Sequence, residues 1–170
     1  KAISTLAVTS GGFSATAITT STALSITNSA AGTITGAIMG ASSLTKAGAG
    51  TLTLSGTSDY TGSTTLNDGT LKISSTGKIY LTDITTNLYV NSGAVLDVHT
   101  WTWEGSLGKF RFDPPNLVIN GGTIRYSGLT GGTWRSFTAG NLGATFDNPN
   151  AGVTWNLDTS PQAPVISGNI

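Results

Sequence analysis

Cysteine is absent from the 170 residues, and histidine and methionine occur once each. The missing cysteines exclude disulfides, cysteine-ligated zinc and thiol catalysis together. Charge is scarce as well. Asp, Glu, Lys and Arg make up 9% of the chain, and eight cations balance eight acids, where a typical globular domain carries ~25% charged residues. So few Lys and Arg cannot form a stripe along a phosphate backbone, and a nucleic-acid partner is not expected. No apolar run approaches the ~20 residues of a membrane span, so no membrane insertion is expected of this segment. Helical periodicity is missing too, since nothing holds the i, i+3, i+4, i+7 apolar pattern for three turns. There is no Walker loop, no dinucleotide fingerprint and no acidic, glycine-rich calcium nonapeptide. No leader-like segment opens the chain. The expectation is that one was removed, or that the chain lies within a larger polypeptide.

What fills the sequence instead is a recurring phrase. A glycine and a small residue precede an apolar, a polar and an apolar position. It reads Gly32-Thr33-Ile34-Thr35, Gly50-Thr51-Leu52-Thr53-Leu54, Gly69-Thr70-Leu71-Lys72-Ile73, Gly93-Ala94-Val95-Leu96-Asp97-Val98 and Gly122-Thr123-Ile124-Arg125-Tyr126. Period-two alternation also marks Leu6-Ala7-Val8, Leu24-Ser25-Ile26 and Leu117-Val118-Ile119 as short strands. Ser-Gly-Gly, Asn-Ser-Gly and Asn-Gly-Gly stand between such strands, where the chain must turn sharply. Units this short cannot bury an apolar face alone, so they must stack. The expected fold is all-β with little or no helix: a parallel β-helix of seven or eight coils, rungs about 4.8 Å apart, built as one continuous segment over residues 1–170.

A longer repeat is superimposed. Thr9 to Thr16 matches Thr138 to Thr145, and Ile34-Thr35-Gly36-Ala37-Ile38 matches Ile166-Ser167-Gly168-Asn169-Ile170. The rival explanation is chance similarity between Thr/Gly-rich stretches. The repeat divides the chain into the end of one module (1–33), a full module (34–165) and the start of a third (166–170).

Residues 34 to 73 carry a specific resemblance. Ile34-Thr35-Gly36, then Leu44-Thr45-Lys46-Ala47-Gly48-Ala49-Gly50-Thr51-Leu52-Thr53-Leu54-Ser55-Gly56, then Tyr60-Thr61-Gly62-Ser63-Thr64-Thr65-Leu66-Asn67-Asp68-Gly69-Thr70-Leu71 resemble the autotransporter-associated β-strand repeat of bacterial passenger regions. Val90 to Asp97 and Gly105-Ser106-Leu107-Gly108 resemble the stretch that follows it. The resemblance implies a right-handed β-helix, export, and an extracellular or cell-surface location. It implies no enzyme and no cofactor.

Several residues invite a functional reading. If the phrases stack in register, Thr35, Thr53, Lys72, Asp97 and Arg125 form an outward column with Asp97 between two cations, a cross-strand charge ladder. The rival reading is the acid/base site of a β-helical polysaccharide lyase, against which the scattered carboxylates argue. His99, the lone histidine, has no partners spaced for a triad or a metal site. Trp101 and Trp103 alternate along a strand, with Trp134, Trp155, Tyr126 and Phe110 elsewhere in the second half. Exposed, Trp101 and Trp103 could stack on sugar rings; buried, they would fill a widened coil. Phe112-Asp113-Pro114-Pro115-Asn116 and Phe146-Asp147-Asn148-Pro149-Asn150 are near copies, expected as corner loops with Asx turns.

The expectation is thus a structural segment of a secreted or cell-surface bacterial repeat protein: stalk, fibre or matrix element. Its first partner would be itself, end to end through open β-helix edges or through covalent neighbouring repeats. A glycan-binding adhesin, with surface polysaccharide as partner, is the alternative, and a lyase the third.

Overall fold

The computed structural model describes residues 5–8, 12–81, 86–101, 105–108, 117–128, 131–133, 137–150 and 155–157. These residues form an all-β parallel solenoid of about six turns, without helix. Two sheets of seven strands run its length. The first contains Thr5–Val8, Leu24–Asn28, Leu44–Ala47, Thr64–Leu66, Leu88–Asn91, Leu117–Asn120 and Thr138–Ala139. The second contains Phe13–Ala15, Gly32–Ile34, Thr51–Leu54, Gly69–Ile73, Ala94–Val98, Thr123–Tyr126 and Thr145–Asp147. Every strand pairs in parallel with its counterpart one turn away. Shorter two-residue strands, Ile18–Thr19 with Ile38–Met39 and Thr57–Ser58 with Lys78–Ile79, begin the third side.

Alternation in each strand sends one set of side chains inward. In the second sheet the inward rows are Phe13, Gly32, Leu52, Leu71, Leu96, Ile124, Phe146 and Ala15, Ile34, Leu54, Ile73, Val98, Tyr126. Those from Leu52 to Ile124 and from Ile34 to Tyr126 are buried in the core. Each fully buried Leu or Ile contributes about 1.5–3 kcal/mol relative to exposure. Parallel strands have no hairpins to hold them, so this interior provides most of the stabilisation.

The rows correct one expectation. Thr33, not Thr35, stands beside Thr53. Gly32 therefore occupies the level of Leu52, an inward position. A Cβ on Gly32 would lie 2.0 Å from the Phe13 ring, so the ring from the coil below fills the volume that a side chain would take. Thr35 falls past the strand, exposed, where its hydroxyl donates to the Ala15 carbonyl at 3.2 Å.

The count of seven or eight coils also changes, because the coils lengthen. Successive levels of the second sheet pass through residues 14, 33, 53, 72, 97, 125 and 147, so the later turns consume more chain than the early ones. The glycine corners fall where expected: Gly93 turns Asn-Ser-Gly at φ +85 and Gly121 turns Asn-Gly-Gly at φ +79, conformations that cost a residue with a Cβ. The copy at Phe146–Asn150 is only partly a corner. Thr145–Asp147 pairs with Thr123–Arg125, and Pro149 lies beyond the ladder where its missing N–H costs nothing. The Asx turn is present, with the Asn150 N–H donating to Asn148 Oδ1 at 3.2 Å. The other copy, Phe112–Asn116, lies outside the described residues, as do Trp103, Glu104, Phe110, Trp134 and residues 158–170.

Candidate functional site

The outer surfaces of the two sheets differ, and the charged one matches the ladder expected from sequence. The outward column of the second sheet is Ser14, Thr33, Thr53, Lys72, Asp97, Arg125, Asp147. Lys72 Nζ lies 3.8 Å from Asp97 Oδ2, and Arg125 Nε donates to Asp147 Oδ2 at 2.7 Å. The guanidinium thus turns to Asp147 in the next turn. The Asp97 side chain is only 8% exposed against 44% for Lys72, and its Oδ1 has no hydrogen-bond partner. Asp97 is consequently the member of the ladder that most depends on its cation. Among the described residues no three His, Asp or Glu side chains gather as a metal site. Among the described residues, the strand neighbours of Asp97 are the cations Lys72 and Arg125.

The outer surface of the first sheet holds two columns without charge. One is Thr5, Ser25, Thr45, Thr65, Tyr89, Val118, Thr138. Beside it run Thr27, Ala47, Asn67, Asn91 and Asn120. Asn91 Nδ2 donates to Asn67 Oδ1 at 2.8 Å, and Asn120 Oδ1 accepts from the Leu142 N–H at 3.3 Å. The Asn67–Asn91 bond thus joins the side chains of two successive turns, and Asn120 reaches a backbone group of the turn beyond.

The polar residues of the first sheet also reach inside. Lys46 stands in the inward row Leu6, Ile26, Lys46, Leu66, Val90, Ile119, Ala139 and is fully buried. Its ammonium donates to the carbonyls of Ala47 at 2.9 Å, Gly48 at 2.6 Å and Asp68 at 3.1 Å. All three N–H donors of the charged form therefore have acceptors. Burial pulls its pKa below the ordinary lysine value, with the Asp68 charge opposing. Asn28, at the end of its strand, is fully buried as well, and Thr64 is a further polar inward residue, in the row Leu24, Leu44, Thr64, Leu88, Leu117. It shares a short hydrogen bond with the buried Tyr60 hydroxyl. Burial raises the Tyr60 pKa, with the Thr64 bond opposing.

Lys46 lies in the part of the chain that known proteins share. Residues 44–73 match the family model described as Passenger-associated-transport-repeat. Over those residues the chain is similar to this repeat. The chain is also 34% identical over 121 residues, 65% of its length, to the "Adhesin BmaC autotransporter" of Brucella suis biovar 1 (strain 1330). It spans about 3% of that relative's length. No solved structure gives a significant match. The repeat begins at Leu44, supplies adjacent strands to both sheets, and contains Lys46, Tyr60, Thr64 and Asp68. Lys46 and Thr64 thus both lie within the matched segment. Sequence reading quoted Lys46 in the motif but gave it no role. The available signal was its parity, since Leu44 and Lys46 must share a face if Leu44 points inward.

The proposed glycan residues lie beyond the repeat. Trp101 is 5% exposed and packs in the core with Leu107. The preceding residue is tied to Ser106 by reciprocal bonds: the Thr100 N–H donates to Ser106 Oγ at 3.0 Å, and the Ser106 N–H donates to the Thr100 carbonyl at 2.9 Å. Trp101 fills the widened coil, one of the two alternatives that the sequence left open, and presents no open ring face. Its partner in that reading, Trp103, lies outside the described residues. His99 is half-buried at the end of the second sheet.

Proposed function

We propose that this chain is a rigid β-helical segment of a bacterial surface protein, displayed outside the cell as a stalk or fibre element and carrying no catalysis of its own. The passenger-associated transport repeat at residues 44–73 carries this reading. Export of a passenger places its repeats at the cell surface, and the relative, itself named an autotransporter adhesin, supports the same location. The mechanism is mechanical. Seven parallel strands per sheet bind each turn to the next through backbone hydrogen bonds around one continuous aliphatic interior. Further coils would continue this pattern, either as covalent neighbouring repeats or as other copies stacked end to end on open strand edges.

Two measurements test the proposal. Antibody to residues 34–108 should label intact, unpermeabilised cells, and protease added outside should remove the epitope. Protection of the epitope until lysis would overturn surface display. The denatured mass of the native polypeptide separates the two modes of continuation. A mass far above 17.2 kDa supports a covalent array, and a mass near it requires end-to-end assembly, visible as filaments.

A further inference from the structure

The geometry points to a binding site for a neutral carbohydrate on the outer surface of the first sheet, centred on Tyr89. This inference goes beyond the stalk reading and needs from it only that the segment stands exposed outside the cell. Four observations carry it. Tyr89 is a large aromatic placed outward on a regular strand, 36% exposed, where the strand pattern would as readily hold threonine. Its cross-strand neighbours are Thr65 below and Val118 above. Beside it on the same strand, Asn91 donates to Asn67 Oδ1 at 2.8 Å and stands in register with Asn120 of the next turn. Neither column of this surface holds a charged residue, while the outward column of the second sheet carries Lys72, Asp97, Arg125 and Asp147.

The chemistry of this patch selects its ligand class. A sugar ring has an apolar C–H face and a rim of hydroxyls that both donate and accept. A phenol ring offers an apolar surface and a polar tip, and amides supply donors and acceptors together. The Asn67–Asn91 pair is held by its own hydrogen bond, so a ligand does not have to order it on binding. Without Arg or Lys in either column, and with the exposed Asp68 next to Asn67, the surface has no means of offsetting the desolvation of an acidic polysaccharide, whose carboxylates would need a cation. A neutral glycan is thus the occupant that the surface complements. Rungs lie about 4.8 Å apart and alternate residues along a strand roughly 6.6 Å apart, so the Thr65–Tyr89–Val118 and Asn67–Asn91–Asn120 columns offer a platform on the scale of one or two sugar rings.

The test uses the full 170-residue chain and a panel of neutral β-glucan, α-mannan and galactan oligosaccharides, with polygalacturonate as the acidic comparison. Binding is read by calorimetry or glycan array. At least one neutral glycan should bind. Tyr89→Ala should weaken it tenfold or more, Tyr89→Phe should stay within about threefold because the stacking face remains, and Asn91→Ala should fall between them. Lys72→Ala, on the charged surface, should leave binding unchanged. Unaltered circular dichroism of Tyr89→Ala ties the loss to the site rather than the fold. Silence across the neutral glycans, or binding to polygalacturonate alone, overturns the ligand class. Neutral-glycan binding that survives Tyr89→Ala but is lost in Trp103→Ala overturns the site and moves it to the tryptophan segment. Neither result bears on surface display, which the antibody and protease experiment decides separately.

Discussion

The two sheets are each built from seven short strands in parallel register, yet they place their polar residues oppositely. The second sheet keeps an apolar interior and puts Lys72, Asp97, Arg125 and Asp147 outside. The first sheet has uncharged outer columns and brings Lys46 and Thr64 inside. A charge outside needs only a lateral neighbour and is screened by water. A charge inside must be given a partner for every donor, which is why Lys46 meets three carbonyls at a corner rather than lying between strands. The difference teaches that polarity alone does not say which way a residue points in this fold. The nearest backbone acceptors decide it.

The largest expected effect breaks the apolar interior of the second sheet. Leu96→Ala should cost about 4 kcal/mol, towards the upper part of the range for core leucines, because coils fixed above and below cannot close on the cavity. A urea titration followed by circular dichroism measures it, and a loss under about 1 kcal/mol would mean that the interior is loosely packed.

The next effect concerns the buried ammonium. Lys46→Ala should cost about 2–3 kcal/mol, since it removes the buried stem and leaves three carbonyls short of a donor. Lys46→Met, which keeps the stem, should cost about half as much. Equal costs for the two variants would show that the ammonium matters and the packing does not. The pH dependence follows from the same residue. Its pKa is lower folded than the unfolded value of 10.5, so between those two values the unfolded chain binds more protons. Stability contributed through Lys46 therefore rises with pH across that window, and Lys46→Met should remove the rise. Tyr60 acts in the opposite sense. Its pKa is raised on folding above the ordinary 10.0, so its contribution is complete below pH 10 and is lost above it. Urea midpoints at intervals from pH 8 to 11 separate the two.

The smallest effects lie on the charged outer surface. Lys72→Ala should cost about 1 kcal/mol and Arg125→Ala less than that. The order follows from burial of the acid left behind, since the Asp97 side chain is 8% exposed and that of Asp147 is 37%. Raising the salt to 0.5 M should shrink the Arg125 effect first, because both members of that pair are reached by solvent. The reverse order would mean that water already solvates Asp97.

The ladder itself shows how far the sequence could be read. Lys72, Asp97 and Arg125 fall in one column as their shared phrase implies, but Thr35 does not. A slip of two residues keeps every side chain on its own face, so alternation cannot distinguish Thr33 from Thr35. The choice rests on Phe13, whose ring needs the space that Gly32 leaves, and these residues meet only when successive coils stack. Trp101 is a second such case. Its alternation with Trp103 marks a strand-like run but does not say whether the indole points in or out, and the structure buries it at 5% exposure.

The sequence by itself determined the architecture and the class. Short alternating strands separated by glycine corners, with too little charge for solvated helices, have no way to bury their apolar face except by stacking on copies of themselves, and the passenger-associated transport repeat is written in contiguous residues. Only the tertiary structure decided which polar residues turn inward, which threonine joins the ladder and which aromatic stands open. Each of those depends on what the next coil, some 20 residues away, brings alongside, and a local pattern holds no record of it.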